Sequence, residues 1–413
     1  MSVWDSLVGQ PAAVEALQAA AVAARAVLEG APAGPATAAM SPSWLLTGPA
    51  GSGRSVAGTA LAAALSCTDP GPPGCGHCPG CHQVLAGTSS DVLVMRPEGL
   101  SIAVADVRTL VVQAALAPTS GRWRVVLVED ADRLVKGVDE RAAAALLKSI
   151  EEPAARTVFV LCAPSAVDVP ATIRSRCRLV GLVTPSAAAV AGVLVGEGVD
   201  PVLADFAARA AQGHVGRARR LARDEDARGR RLHVLRLPTR LSSPASALAA
   251  AAEVVAAAPE AAAAVTTERA EVERAELERS WGLDGGADGP PGRRAPRGKG
   301  RADRAAGAAL RDLERVQRSR GTRASRDALD RALVDLLGLY RDVLAIQLGG
   351  AGAAGERLVH PDQAELSARL ARATRGEQSL RCLDAILEAR TRIAANSAPL
   401  LAVEAMALTL ARP

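Results

Sequence analysis

The sequence predicts an α/β domain built on a parallel sheet, followed by an all-helical remainder. Three observations carry this expectation. Apolar, strand-like runs alternate with helical patterns through residues 1–183. A glycine-rich stretch, "GPAGSGRS" at 48–55, joins one of those runs to a helical pattern. Beyond Thr184 the strand signals stop and only helical periodicity continues. Parallel neighbours need a crossover, usually a helix, so strand–helix alternation implies a parallel sheet.

Four strands are expected in order. "WLLTG" (44–48) leads into the glycine loop, and a helix follows from Val56 to about Cys67. "DVLVMRP" (91–97) is the second, and "RVVLVED" (124–130) the third, apolar throughout as a central parallel strand should be. "TVFVLCA" (157–163) is the fourth. Between the last two a helix is expected over 139–151, capped by Asp139 and stopped by Pro153. Residues 184–240 suggest a small helical domain, with Asp200-Pro201 starting one helix and Gly213 ending it. Residues 241–413 suggest a second helical domain. Its charged helix "TTERAEVERAELERS" (266–280) precedes a Gly/Pro/Arg-rich segment at 282–304 that reads as disordered. Two long helices with wide apolar faces then follow, at 328–348 and 380–410.

Composition narrows the class without fixing it. Of 413 residues, 49% are apolar but only 2% aromatic, so the core is largely alanine and helix is favoured. A net charge of +5 is compatible with polyanion partners and does not require them. The N-terminal "MSVWDSLVGQ" lacks a basic region followed by an apolar run, and Glu253, Pro259 and Glu260 interrupt the alanine-rich stretch at 245–265. A cytoplasmic location is the expectation.

The glycine stretch fits a phosphate-binding loop except at one position. Gly48, Gly51 and Gly53 let backbone approach a phosphate, the following helix supplies N–H groups and a positive end, and Ser55 is placed to reach a magnesium ion. Arg54 stands where the pattern wants lysine, a compact point charge instead of a planar fork. At the end of the third strand, Glu129 precedes Asp130, whereas a hydrolytic site wants Asp for the metal and then Glu for the water. Asp130 would be one methylene short for that second task, and an error of about 1 Å can cost on the order of a hundredfold in rate.

Cys67, Cys75, Cys78 and Cys81 are spaced C-x7-C-x2-C-x2-C, with glycine and proline between them. Such spacing lets four thiolates converge on one tetrahedral zinc in a closed, structural site. His77 and His82 are alternative ligands, and a redox cluster is the competing chemistry. Cys162, Cys177 and Cys382 are scattered and read as buried apolar residues.

Several motifs also fall in a telling order: "LVGQPAAVEAL" (7–17), the phosphate loop, the cysteine module, "EDADRL", "ALLKSIEEP" (145–153) and "VPATIRSRC" (169–177). Together they resemble the clamp-loader branch of the AAA+ proteins over about 1–220, and the helical tail is similar to that family's collar. The resemblance implies an AAA+ domain at 1–183, a lid at 184–240 and a collar at 241–413. It implies a ring in which nucleotide sits between subunits, and Arg176 of "SRC" as an arginine finger acting in trans. It implies partners as well: ATP-hydrolysing motor subunits, a delta-like subunit, and primed DNA reached through the complex.

The departures from that family's motor pattern point one way. Ala163 and Pro164 stand where a polar sensor is expected, and Gly216, with Arg217 one step late, where a lid arginine is expected. With Arg54 and the Glu129/Asp130 order, these weaken the chain's own site for ATP or ADP. The expected function is therefore a structural ring member that completes a neighbour's ATP site, in a complex that loads a sliding clamp during replication. Two rivals stand beside it: a working motor ATPase, and a zinc-bearing DNA-repair module using the basic residues at 293–304.

Overall fold

A computed structural model describes residues 2–97, 104–120, 122–134, 140–281, 299–349 and 358–411. The chain divides into two compact units, Met1–Ala227 and Arg228–Pro413.

The first unit contains α1 (Pro11–Leu28), β1 (Ser43–Thr47), α2 (Arg54–Leu65), α3 (Pro79–Leu85), β2 (Val92–Met95) and α4 (Val104–Ala114). It continues through β3 (Arg124–Val128), α5 (Glu140–Glu151), β4 (Thr157–Ala163), α6 (Ala171–Arg174) and β5 (Arg178–Gly181) to α7 (Ala187–Gly196), α8 (Pro201–Ala211) and α9 (Val215–Arg223). The strands form one sheet in the order β2-β3-β4-β1-β5, every pairing parallel. Alternate side chains serve opposite faces, as the pleat requires. Trp44, Leu46, Val125, Leu127, Val158 and Val160 pack with α1 and α2. Leu45, Val126, Val128, Phe159 and Leu161 pack with α4 and α5 on the other face. Both faces are covered, so β1, β3 and β4 are apolar at nearly every position and buried along their whole length.

The four strands expected from sequence are present. The fifth, β5, has no sequence signature: it is four residues long, pairs only with β1, and buries only Val180. The cap expected at Asp139 lies outside the described residues, and α5 is helical from Glu140. Asp200 caps α8 as expected, its Oδ1 accepting the N–H groups of Val202 and Leu203 at 2.9 and 3.1 Å. Helices α7, α8 and α9 bury an alanine-rich core of their own with Val190, Leu194 and Leu221.

The second unit is helical: most of α10 (Glu225–Leu235), then α11 (Pro244–Ser280), α12 (Lys299–Gly349), α13 (Ala364–Ala373), α14 (Gly376–Ala394) and α15 (Pro399–Leu410). Its main core joins Ala247, Ala251 and Val254 of α11 to Leu329, Leu333, Leu336 and Tyr340 of α12. Ile386 and Ile393 of α14 and Val403 and Met406 of α15 complete it. Spacings of three and four keep each set on one helical face. The single helix expected at 380–410 is two. Asn396 takes a left-handed φ of 70° and Pro399 opens the next helix, so the chain turns between Ala394 and Pro399. Of the basic segment at 282–304, residues 282–298 lie outside the described residues, and Lys299 onward belongs to α12.

A buried polar network holds the start of this unit. Arg231 donates to both carboxylate oxygens of Asp362 at 2.9 and 3.1 Å and to His360 Nδ1 at 2.8 Å. The Asp342 carboxylate in turn accepts the N–H groups of Val359 and His360 at 2.9 and 2.8 Å. Two helices, Pro11–Leu28 and Pro244–Ser280, are long and apolar enough by length and composition to cross a membrane. Each contributes buried residues to the core of its own unit.

Candidate functional site

In the sheet order, β1 lies between β4 and β5, while the chain leaving β1 crosses to β2 at the far edge. Ligands of such sheets bind beyond the carboxyl ends of the strands where the order reverses. The segments leaving β1, β3 and β4 therefore share one edge, and they carry the residues singled out from sequence. Burial pushes the Cys162 thiol up to about 12, and Glu129, Arg54 and Asp130 all act on it electrostatically. These three charged groups thus lie on the side of the sheet where β4 ends.

The phosphate loop is held from several sides. Gly48 N–H donates to Pro164 O at 3.2 Å, tying the loop to the segment after β4. Buried Gln10 donates from Nε2 to Ser52 O at 3.1 Å and to Val183 O at 2.6 Å, and its Oε1 accepts Val183 N–H at 3.0 Å. Gly51 has φ 85°, and a Cβ there would lie 2.6 Å from the Cβ of His214. His214 caps α9, its Nδ1 accepting Arg217 N–H at 3.2 Å. The start of α9 is thus seated directly on the loop.

Arg54 does not reach into the space before α2. Its Nη1 donates to the Gly48 carbonyl, closing the guanidinium onto its own loop. Ser55 is half-buried in the first turn of α2, and Gly53 precedes that turn with φ 93°. Ser52 Oγ is buried with no hydrogen-bond partner among the described residues. Glu129 accepts from Arg96 Nε at 3.1 Å, and Asp130, at φ 49°, lies 3.6 Å from Arg133 Nε. Both carboxylates expected to serve metal and water are thus engaged by arginines. Ala163 is fully buried at the end of β4 and offers no polar side chain.

Arg176 lies elsewhere on the surface, after α6. It forms an ion pair with Glu151 at the end of α5 and donates to Thr172 O at 2.7 Å, with 40% of its side chain exposed. A pair that open to solvent is worth ~0–1 kcal/mol.

The four cysteines converge as their spacing predicts. Sγ–Sγ distances are 3.8 Å for Cys67–Cys75, 3.8 Å for Cys67–Cys78 and 4.0 Å for Cys75–Cys81. Tetrahedral coordination with metal–sulfur bonds of about 2.3 Å gives edges of about 3.8 Å, so the set fits one metal ion. Backbone N–H groups surround the sulfurs: Thr68 and Cys81 donate to Cys78 Sγ at 3.4 Å each, and Cys78 N–H donates to Cys75 Sγ at 3.3 Å. Burial opposes ionisation of Cys78, but the N–H of Cys81 and the contacts from Thr68 outweigh it and bring the thiol down to about 5. Burial raises Cys75 and Cys81. His77 and His82 are outside this set. His77 pairs instead with Asp69 at 3.4 Å, and His82 is exposed. All seven cysteines are free thiols, with Cys162 and Cys382 buried and Cys177 half-buried.

The module is welded to the phosphate-loop helix. Cys67 follows the end of α2, and a Cβ on Gly80 would sit 2.0 Å from Ser66 O. Trp4 Nε1 donates to Pro73 O at 3.0 Å, and Val3 N–H to Gly74 O at 3.0 Å. Backbone cannot retreat from that Cβ, so Gly80→Ala is expected to destabilise the first unit by ~2–3 kcal/mol. A lowered denaturant midpoint would register this, and an unchanged midpoint would refute the packing described.

Three residues at the site were not assigned roles from sequence. Gln10 lies in "LVGQ" and Ser52 in the loop itself, but their partners are long-range. His214 is flanked by Gly213 and Gly216, the one local hint that backbone comes close there.

These features define a P-loop NTPase-like α/β fold, carrying a cysteine cluster able to hold a metal and followed by helices. Residues 34–186 match the profile of the family described as DNA polymerase III, delta subunit. The chain is 39% identical over 149 residues to the DNA polymerase III subunit delta' of Pseudomonas aeruginosa, covering 35% of this chain and 44% of that protein. It is 40% identical over 129 residues to the subunit delta' of Escherichia coli, covering 30% and 37%. With the subunit delta' of Bacillus subtilis it shares 27% identity over 198 residues, 48% and 59% of the two chains. The chain is thus similar to AAA+ clamp loaders, of the delta-prime kind, and spans about two fifths to three fifths of these relatives' lengths.

Proposed function

We propose that this chain is a delta-prime-like clamp-loader subunit with an impaired nucleotide site of its own. It stands as a structural member of the ring and lends Arg176 to the ATP site of a neighbouring subunit. Its partners are the ATP-hydrolysing motor subunits and a delta-like subunit, and the complex opens a sliding clamp and loads it on primed DNA in the cytoplasm. The subunit makes no phosphodiester bonds. It works as part of a DNA-directed DNA polymerase holoenzyme, the nucleotidyltransferase. Residues 1–183 form the AAA+ domain, 184–240 the lid and 241–413 the collar that joins the ring.

One observation carries the reading. The cation of the phosphate loop is turned onto the loop's own Gly48 carbonyl, while Arg176 stands on the surface in an exposed pair. Gly48, Gly51, Gly53, Arg54, Ser55, Glu129 and Asp130 are in this reading a degenerate site, holding ATP or ADP weakly if at all. Cys67, Cys75, Cys78 and Cys81 hold a structural zinc, whose neutralising charge suits four sulfurs packed within 4.8 Å. The experiment is ATP turnover by the purified chain. No rate above background is expected, and none to lose in Arg54→Ala. Clear turnover that falls in that variant would mark a working motor instead.

A further inference from the structure

The unit formed by Arg228–Pro413 carries a charged face apart from the candidate site described above. In α12, residues 299–326 contain nine cations against three carboxylates. These cations are not disposed evenly. Arg320 is tied into the contact between α11 and α12 through Glu273 at 2.8 Å, and Arg274 of α11 reaches back to Glu314 at 2.7 Å. Arg304, Arg311, Arg315 and Arg318 instead share the outward face, all exposed. At 100° per residue they fall within about 60° of one another around the axis, and at 1.5 Å per residue they span about 21 Å. Among the described residues, Arg315 pairs with the equally exposed Asp312, at 3.2 Å. The side chains of Arg304, Arg311 and Arg318 have no hydrogen bond or ion pair among the described residues.

We infer that this stripe binds the phosphate backbone of duplex nucleic acid without reading its sequence. Phosphates recur about every 3.4 Å along each strand, so a 21 Å row of guanidiniums faces several at once. Guanidinium forks match phosphate oxygens in pairs. No aromatic side chain lies on the stripe to stack unpaired bases, which favours a duplex over a single strand. An anionic membrane fits less well, because no large apolar side chain is exposed between Arg304 and Arg318. Glu268, Glu271 and Glu276, exposed on α11, would repel phosphate and orient the duplex toward α12. This inference does not rest on the ring assignment, since it concerns the purified chain alone.

The test is fluorescence anisotropy of a labelled duplex of arbitrary sequence with the full chain, at about 50 and about 200 mM salt. The wild type should bind, with affinity falling steeply as salt rises. The variant Arg304→Ala/Arg311→Ala/Arg315→Ala/Arg318→Ala should lose ~30-fold or more at the lower salt, and its log–log salt slope should flatten by about 3. Alanine is a strong helix former, so an unchanged melting temperature checks that the fold survives. No duplex binding by the wild type, or a variant with the same affinity and slope, overturns the inference. Flotation with vesicles rich in phosphatidylserine, in the absence of duplex binding, would overturn it in favour of a membrane.

Discussion

Cys78→Ser should release the metal and loosen the whole face of the first unit that rests on the cysteine module. Of the four sulfurs, that of Cys78 accepts the most backbone N–H groups. This sulfur lies 3.8 Å from that of Cys67, accepts two backbone N–H groups, and caps α3. Serine keeps the cap but is a poor zinc ligand. Structural zinc contributes on the order of 10 kcal/mol to folding in small domains, and a larger domain that retains its sheet loses only part of that. A loss of about 4 kcal/mol would lower the melting temperature by roughly 10 °C at this size. Metal analysis should fall from about one equivalent to near zero. The effect should travel, because Cys67 continues α2 and Trp4 and Val3 latch the loop at Pro73 and Gly74. A folded wild-type preparation without metal, stable to chelator, would contradict this.

The second large effect is expected at Arg176. In the isolated chain this guanidinium is held by Glu151 and the Thr172 carbonyl. Leaving an exposed carboxylate costs little, ~0–1 kcal/mol, so exchange for a neighbour's triphosphate is energetically easy. Arginine fingers contribute about 10³-fold or more to phosphoryl transfer at the site they serve. Arg176→Ala should therefore depress hydrolysis at the facing site by about that factor, and Arg176→Lys should not restore it, because a point charge cannot replace the fork. Assembly should persist, since Arg176 lies at the surface and its side-chain contacts are the polar ones to Glu151, Thr172 and Ser175. Loss of the ring in Arg176→Ala would instead make this residue a structural contact.

Much of the fold was legible for a physical reason. β1, β3 and β4 are covered on both faces, so their sequences are unbroken apolar runs that punctuation by glycine and proline sets off. β5 escaped notice because an edge strand that buries only Val180 need not look like a strand. The break between α14 and α15 was written in Asn396 and Pro399, but apolar periodicity on both sides masked it. The cysteine cluster was legible from spacing, because short C-x2-C turns bring sulfurs together locally. The condition of the phosphate loop was not. Its residues are contiguous, but their partners are far along the chain: Gln10 before them, Pro164 after β4, and His214 at the start of α9. Sequence indicated that Arg54 was anomalous. Where its guanidinium goes is a question of folded geometry.

In the function proposed above, a loop that serves itself poorly is joined in one chain to an arginine that serves a neighbour. Single-turnover ATP hydrolysis by the reconstituted ring, with Arg54→Ala and Arg176→Ala compared side by side, tests it most directly. Near wild-type turnover is expected with Arg54→Ala, and a collapse with Arg176→Ala at intact assembly. The opposite pattern, collapse at Arg54 and indifference at Arg176, would contradict it.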